Sequence, residues 1–268
     1  VVGEIMTRLR AASLNVNGGE TVAGAERPVK EVIAQLANDD YDVLLLQEFP
    51  ERLLAQLCDS LPGWAVRSWM LSEAERSNEG SVGLVTICRY DVRRTQRVAF
   101  PNPDLAVRLP DDRICRSHDK GALVVTLDIA HLPDPVQVAN VHALPFHRFG
   151  VAEDSDQVEA VWSAFGRCLS TVISLGHPNV VIGGDFNSCT RQAVNGVLGQ
   201  WGLNPLFSTT PTRPGGRTTD DIYVYSRKGR TSQLGQPQDV GSDHLQIAVE
   251  LTLARSKAFA TSSSRRRT

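Results

Sequence analysis

Asn179-Val180-Val181-Ile182-Gly183-Gly184-Asp185-Phe186-Asn187-Ser188 reads as a short buried strand that runs into an acid and an amide. The β-branched residues make the strand. The two glycines let the backbone turn where it ends, so that Asp185 and Asn187 project from its C-terminal edge. That edge is where α/β enzymes place their chemistry, although Asp and Asn are also ordinary turn residues. Repetition gives the stretch its weight, because the chain holds four more islands of the same build.

They are Leu14-Asn15-Val16-Asn17-Gly18, Leu46-Gln47-Glu48, Asn140-Val141-His142-Ala143-Leu144-Pro145 and Gly241-Ser242-Asp243-His244, with a lesser one at Thr219-Asp220-Asp221-Ile222. In nearly every case an apolar strand meets a carboxylate, an amide or an imidazole. A core has no use for so many polar groups at strand ends, because burying them unpaired is costly. Carboxylate, amide and water oxygens suit Mg²⁺, with Mn²⁺ or Ca²⁺ as substitutes. Thiolates are absent from every island, which argues against zinc. Imidazoles beside such a cation can take a proton from water or stabilise an anionic phosphorus centre.

Between the islands the pattern alternates strands with few helices. Strands are expected over 8–16, 43–47, 64–69, 82–89, 122–129, 136–142, 222–225 and 245–253. Helices are expected from Pro28, which suits a first helical position, and over 52–61, 156–175 and 192–201, with Gly176 ending the third. One helix does not follow each strand, so two packed β-sheets with helices outside suit the pattern better than a doubly wound nucleotide fold. One domain over 8–253 is expected, followed by a polar tail, 254–268, that ends in Arg265-Arg266-Arg267 and reads as disordered.

With 268 residues, 41% hydrophobic and 22% charged, the chain can bury a full core. No apolar run approaches the ~20 residues needed to span a bilayer. The formal charge of −2 argues against a global positive field for nucleic acid but leaves room for a local basic groove. Five cysteines without CxxC spacing, three of them in apolar periodic segments, argue against a disulfide framework and favour a reducing, intracellular setting.

In order and in residues, the islands resemble the endonuclease/exonuclease/phosphatase (DNase I-like) superfamily of metal-dependent phosphoesterases, over nearly the whole chain from Arg8 to Leu253. The resemblance implies a four-layered α/β sandwich, two packed mixed sheets flanked by helices, with the islands meeting at one rim. It implies Glu48 as principal metal ligand with Asn15 beside it, and Asp243 as a second metal-side carboxylate. Asp185 and Asn187 would orient nucleophile and phosphate, His244 would be general base or transition-state imidazole, and His142 the second catalytic histidine. Asp220 or Asp221 would orient His244, with Asp220 preferred, and Glu79 would orient His142. Asn17 stands where many relatives carry a charged residue.

Asn140-Val141-His142 is similar to the DNase I-like nucleases, sphingomyelinases and inositol phosphatases, and differs from the tyrosine-and-proline motif of apurinic-site endonucleases. Lys120-Gly121-Ala122 is similar to the phosphoinositide phosphatases, but Asp119 replaces their asparagine and would repel a polyphosphorylated head group. No apolar hairpin with exposed aromatics offers itself to lipid. Arg113, Arg116 and Lys120, in an arginine-rich stretch otherwise read as a solvated loop, are candidates to hold phosphate, with Asn17. These features favour a Mg²⁺-dependent phosphodiesterase acting on a nucleic-acid backbone, DNA before RNA. A lipid or small-ester phosphoesterase on the same site is the alternative. A non-catalytic binding protein is argued against, since no island has lost its catalytic residue.

Overall fold

In the computed structural model, the described residues are 6–17, 22–38, 40–73, 80–173, 177–213 and 216–254. Two mixed six-stranded sheets carry the fold, and both have the same design. The first runs β13 (Arg230–Gln233), β14 (Ile247–Ala254), β1 (Met6–Asn15), β2 (Val43–Pro50), β4 (Ser81–Cys88), β3 (Ala65–Glu73). The second runs β11 (Asn204–Pro205), β12 (Asp220–Ser226), β10 (Asn179–Asp185), β9 (Val136–His142), β8 (Lys120–Asp128), β5 (Asp91–Phe100). A short hairpin, β6 (Ala106–Arg108) with β7 (Ile114–Arg116), lies outside both.

Each sheet has one parallel pair at its centre, β1 with β2 and β9 with β10, and antiparallel neighbours elsewhere. Central strands buried on both faces read as continuous apolar runs, and Val43-Leu44-Leu45-Leu46 and Val180-Val181-Ile182 are such runs with no exposed surface to speak of. Alternate side chains of these strands serve different layers. Leu9, Ala11, Val43, Leu45, Val181 and Ile222 meet between the sheets. Leu44 and Leu46 face outward with Val29, Val32 and Leu36 of α1 (Val22–Ala37) and Leu57 of α2 (Leu54–Ser60). On the opposite side Ile182 and Val124 pack with Trp162 and Phe165 of α3 (Asp156–Ser170) and Val194 and Leu198 of α4 (Gln192–Leu198). The result is the helix–sheet–sheet–helix sandwich expected from sequence. Among the described residues no helix is long and apolar enough to cross a membrane.

Several local expectations give way. Pro28 lies inside α1, not at its start. A proline there forfeits one backbone hydrogen bond, and the apolar face on β2 holds the helix through it. The third helix ends at Ser170 in the described residues, and 174–176, with the expected Gly176 stop, lie outside them, as do Glu79 and residues 255–268. Of the cysteines, Cys88 is buried whereas Cys58 and Cys168 are exposed, and none is in a disulfide. The arginine-rich stretch is not a loop throughout: β5 is one of the two edge strands of its sheet. Most of its residues are exposed, with Arg93 paired to Asp128 at 2.9 Å. Charge along an edge discourages pairing with another chain.

Gly183 and Gly184 do not end a strand; both lie within β10. They permit close approach. A Cβ on Gly183 would meet Leu45 Cδ1 of the other sheet at 2.9 Å, and one on Gly184 would meet the Val141 carbonyl oxygen at 1.9 Å. Gly184 also has φ +152°, which L side chains rarely adopt. Replacement by alanine forces β9 and β10 apart where they carry His142 and Asp185. Gly184→Ala is therefore expected to lower unfolding stability by about 2 kcal/mol or more, read from the urea midpoint; a shift under a quarter of that would contradict the packing argument.

Candidate active site

Strand register brings the islands together. The parallel pairs put Asn15 opposite Gln47 in one sheet and Asp185 opposite His142 in the other. Antiparallel pairing sets Asp220, the first residue of β12, opposite Asp185, and Gly121 opposite His142. Glu48 follows Gln47 in a β-bulge between Leu46 and Phe49, at φ +52°. A bulge re-aims the side chain that strict alternation would send elsewhere. Asn187 likewise takes φ +50°.

The sheets are tied just beneath this edge. Buried Gln47 Nε2 donates to Asn140 Oδ1 at 2.7 Å, and Asn140 Nδ2 donates to the Leu46 and Val85 carbonyls at 3.0 Å each. Above them, Asn15 Nδ2 donates to Glu48 Oε1 at 3.2 Å and to Asp185 Oδ2 at 3.1 Å. Asn15 Oδ1 accepts from the Asn17 N–H at 2.9 Å, and that bond fixes which way the amide points. Asn15 therefore presents nitrogen to the two carboxylates. In this arrangement the amide nitrogen positions them.

His244 is 3% exposed, and its Nδ1 lies 2.9 Å from both carboxylate oxygens of Asp220. Its Nε2 faces Asp185 Oδ2 at 3.7 Å. Asp220 is held in turn by Thr212 Oγ1 at 2.9 Å and Thr219 Oγ1 at 3.1 Å. Asp221 points the other way. Its Oδ1 accepts from the Leu206, Phe207 and Ile222 N–H groups at 2.8–3.0 Å, a backbone-capping duty away from the histidine. Asp220 thus orients His244, and side-chain alternation along β12 excludes Asp221.

His142 Nε2 lies 3.6 Å from Glu48 Oε1 and 3.9 Å from Asp185 Oδ2. Its Nδ1 sits 3.4 Å from Lys120 Nζ. An ammonium only donates, so this contact favours the tautomer with the proton on Nε2, facing the carboxylates. Lys120, expected to hold substrate, thus also bears on the tautomer. Asn187 Nδ2 donates to the Ala143 carbonyl at 2.9 Å, and its N–H to Asp185 Oδ1 at 2.8 Å.

The two imidazoles are pushed in opposite directions. Burial would lower the His244 pKa, but Asp220 and Asp185 raise it to about 9. Burial and the Lys120 charge hold His142 well below the usual range, against the pull of Glu48. Asp185 is pushed up by burial and the Asp220 charge, with His244 opposing. Burial would raise Glu48, yet His142, Lys120 and the Asn15 hydrogen bond bring it down to about 2.

Asp185, Asp220 and His244 offer ligand atoms within 4.8 Å of one another. Hydrogen bonds commit both oxygens of Asp220, so this trio is a proton-carrying group more than a cation cage. Glu48, ionised and 23% exposed at its side chain, and Asp243, whose Oδ1 is buried without a hydrogen-bond partner, are the better hard-oxygen donors. Both line a cleft of about 330 Å³ with Asn17, Lys120, His142 and His244. The donor set fits a divalent cation.

Arg113 and Arg116 do not line this cleft; they pair with Asp111 at 2.7 Å and Asp104 at 3.2 Å on the outlying hairpin. Sequence reasoning missed Arg191. It is 1% exposed, stands 5.3 Å over the Phe186 ring, and donates to the Thr218 and Asp220 carbonyls at 2.8 Å. It props the strand that carries Asp220. Thr219 stood within a recognised island, but nothing in the residues gave it or Thr212 a task.

Because its folded pKa exceeds the ordinary 6.5, His244 stabilises the metal-free protein fully below that pH, and the contribution is lost as pH rises through about 9. Removing the Asp220 charge removes the main cause of the elevation. Asp220→Asn should move the His244 imidazole titration, followed by NMR, downward by at least about one unit; an unmoved titration would rule out the dyad.

The comparisons with known proteins agree with this geometry. Residues 12–244 match the model of the Endonuclease/Exonuclease/phosphatase family. No curated protein matches the chain. Among solved structures, an endonuclease/exonuclease/phosphatase family protein from Bacteroides thetaiotaomicron superposes with TM-score 0.65 at 16% identity, over 94% of this chain and 97% of that one. ANGEL2, described as a 2′,3′-cyclic phosphatase, gives TM-score 0.65 at 15% identity, over 94% and 99%. D. rerio TDP2 complexed with single strand DNA product gives 0.60 at 14%, over 91% and 99%. Members of this family are phosphoric ester hydrolases and generally use a divalent metal. Matched over most of its length, and with two mixed sheets delivering carboxylates, amides and two histidines to one edge, this chain belongs to the endonuclease/exonuclease/phosphatase family.

Proposed function

We propose that the protein is a Mg²⁺-dependent phosphodiesterase that hydrolyses a nucleic-acid backbone, DNA in preference to RNA. The observation that carries the reading is the pair of buried histidines flanking Asp185, whose Nε2 atoms stand 3.9 and 3.7 Å from its Oδ2, one pushed below the ordinary imidazole range and the other above it. One neutral imidazole with its proton on Nε2, one imidazolium and one carboxylate of raised proton affinity are what in-line attack of water on phosphorus requires.

Glu48 with Asp243 would hold the cation, which supplies charge neutralisation at the phosphoryl oxygens. Asp185, kept in place by Asn15 and the Asn187 N–H, takes the proton of the attacking water. His244, held by Asp220, donates from Nε2 to a phosphoryl oxygen as negative charge develops. In this reading Asp185 is the base and His244 takes the other role the resemblance implies, that of transition-state imidazole. Neutral His142 keeps its Nε2 proton and donates a hydrogen bond to the leaving oxygen, which takes its proton from solvent, and Asn187 steadies the phosphate. The products are a phosphomonoester and an alcohol.

The likeness to TDP2 with DNA product supports a nucleic-acid substrate. The likeness to a cyclic phosphatase supports the alternative, a small phosphate ester on the same residues.

Glu48→Ala, His142→Ala and His244→Ala are each expected to lose about a hundredfold or more in kcat/KM. The assay is digestion of supercoiled DNA, single-stranded DNA, RNA, sphingomyelin and inositol phosphates with and without Mg²⁺. Cleavage of the nucleic acids alone, abolished by chelator, is the expected pattern. Turnover confined to lipid or inositol phosphate, or near-normal rates in His244→Ala, would overturn the reading.

A further inference from the structure

The chain is weakly acidic overall, yet one wall of the cleft is cationic. Arg148, Arg213 and Arg217 line it, from two separate segments, beside His147. The first is a 3₁₀ turn, Phe146–Phe149, that follows His142 by only a few residues. The second is a tight loop closed where the Thr212 and Arg213 N–H groups both donate to the Arg217 carbonyl, at 2.9 and 3.0 Å. That closure sets the two arginines on opposite arms of one turn. The loop is tied to the catalytic edge, because Leu245 N–H donates to the Thr212 carbonyl at 2.7 Å and Thr212 holds Asp220.

These charges feel one another. Burial and the repulsion of Arg217, Arg148 and Arg213 together outweigh Glu153 and lower the His147 pKa. Of two acids near them, Glu153 is bound to the 188–190 turn and Asp243 is paired within the cluster. Glu153 Oε2 accepts from Ser188 Oγ at 2.9 Å and from Thr190 N–H and Oγ1 at 3.0 and 3.1 Å. Asp243 pairs with Arg213. Like charges gathered on a concave wall repel, and an anion placed among them relieves the repulsion. His142 and His244 lie buried at the cleft floor, whereas Arg148 and Arg217 are exposed at its rim. The floor is provided for the phosphate that reacts, and the rim faces a group outside it.

We infer that Arg148 and Arg217, with Arg213 behind them, form a subsite for a second phosphate of the substrate, next to the one hydrolysed. The inference rests on the phosphodiesterase reading and narrows its substrate class to esters carrying two phosphates. That second phosphate comes either from the next linkage of a polynucleotide or from a terminal monophosphate. Guanidinium forks bind phosphate bidentately and suit both.

The test measures binding and hydrolysis apart. With chelator present, so that nothing turns over, calorimetry compares the dinucleoside monophosphate TpT, its 5′-phosphorylated form pTpT and the trinucleotide TpTpT on the full chain. The expected result is that pTpT, TpTpT or both bind about tenfold or more tightly than TpT. Arg217→Gln and Arg148→Gln, both surface changes, should each shrink that ratio severalfold. A gain for pTpT alone identifies a terminal phosphate, and an equal gain for TpTpT identifies a polynucleotide backbone. Equal affinity for all three, or a ratio that survives both substitutions, overturns the subsite. Hydrolysis of the same compounds with Mg²⁺ judges the phosphodiesterase reading separately, since the binding ratio stands without turnover.

Discussion

The Asn15 amide joins the two halves of the molecule where the chemistry is expected. It leaves one sheet, donates to Glu48 of the same sheet, and donates again to Asp185 of the other. Two carboxylates so close would drift apart if each sheet were free to slide. Beneath them the buried Gln47–Asn140 bonds set the register between sheets, and the absence of a Cβ on Gly183 lets Leu45 of the facing sheet approach. Although Gln47 Oε1 is left without a partner, the bonds this buried network does make favour one arrangement, because each alternative gives them up in a low-dielectric interior. The geometry of the site is therefore a consequence of how the sheets are pinned.

Charge balance is the second constraint. Glu48, Asp185, Asp220 and Asp243 converge on one edge, and carboxylates in that density repel one another unless cations intervene. The protonated His244 sits among Asp220, Asp185 and Asp243, Lys120 stands behind His142, and Arg213 pairs with Asp243. This distribution differentiates two histidines that look equivalent as residues. One is surrounded by acid and keeps its proton, and the other lies against an ammonium and stays neutral. Their roles follow from these neighbours.

Much of the fold was legible because its strands are buried on both faces. Continuous apolar runs such as Val43–Leu46 and Val180–Ile182 announce themselves, and the polar residues that end them mark the functional edge. What was missed lacks that contrast. Strand β5 is an edge with a mostly exposed, charged surface, and only its last residues, around buried Val98 and Phe100, show the alternation a core imposes. Pro28 misled because the apolar face that carries α1 through it is a tertiary contact. Gly183 and Gly184 read as a turn because a glycine demanded by close packing looks the same in sequence as one demanded by a bend.

By itself the sequence determined the class of fold, the edge where polar residues gather, and the residue types assembled there. Those depend on burial pattern and side-chain chemistry, which are local properties. Tertiary structure alone decided that Asp220 and not Asp221 holds His244, since the two differ only in the face of β12 they occupy. It likewise decided that Asn15 positions carboxylates with its nitrogen, that Lys120 bears on the His142 tautomer, and that Arg148 and Arg217 share one wall. Each of these is a relation between residues distant along the chain. Orientation, proton affinity and electrostatic neighbourhood come from register and packing, which no single stretch of sequence contains.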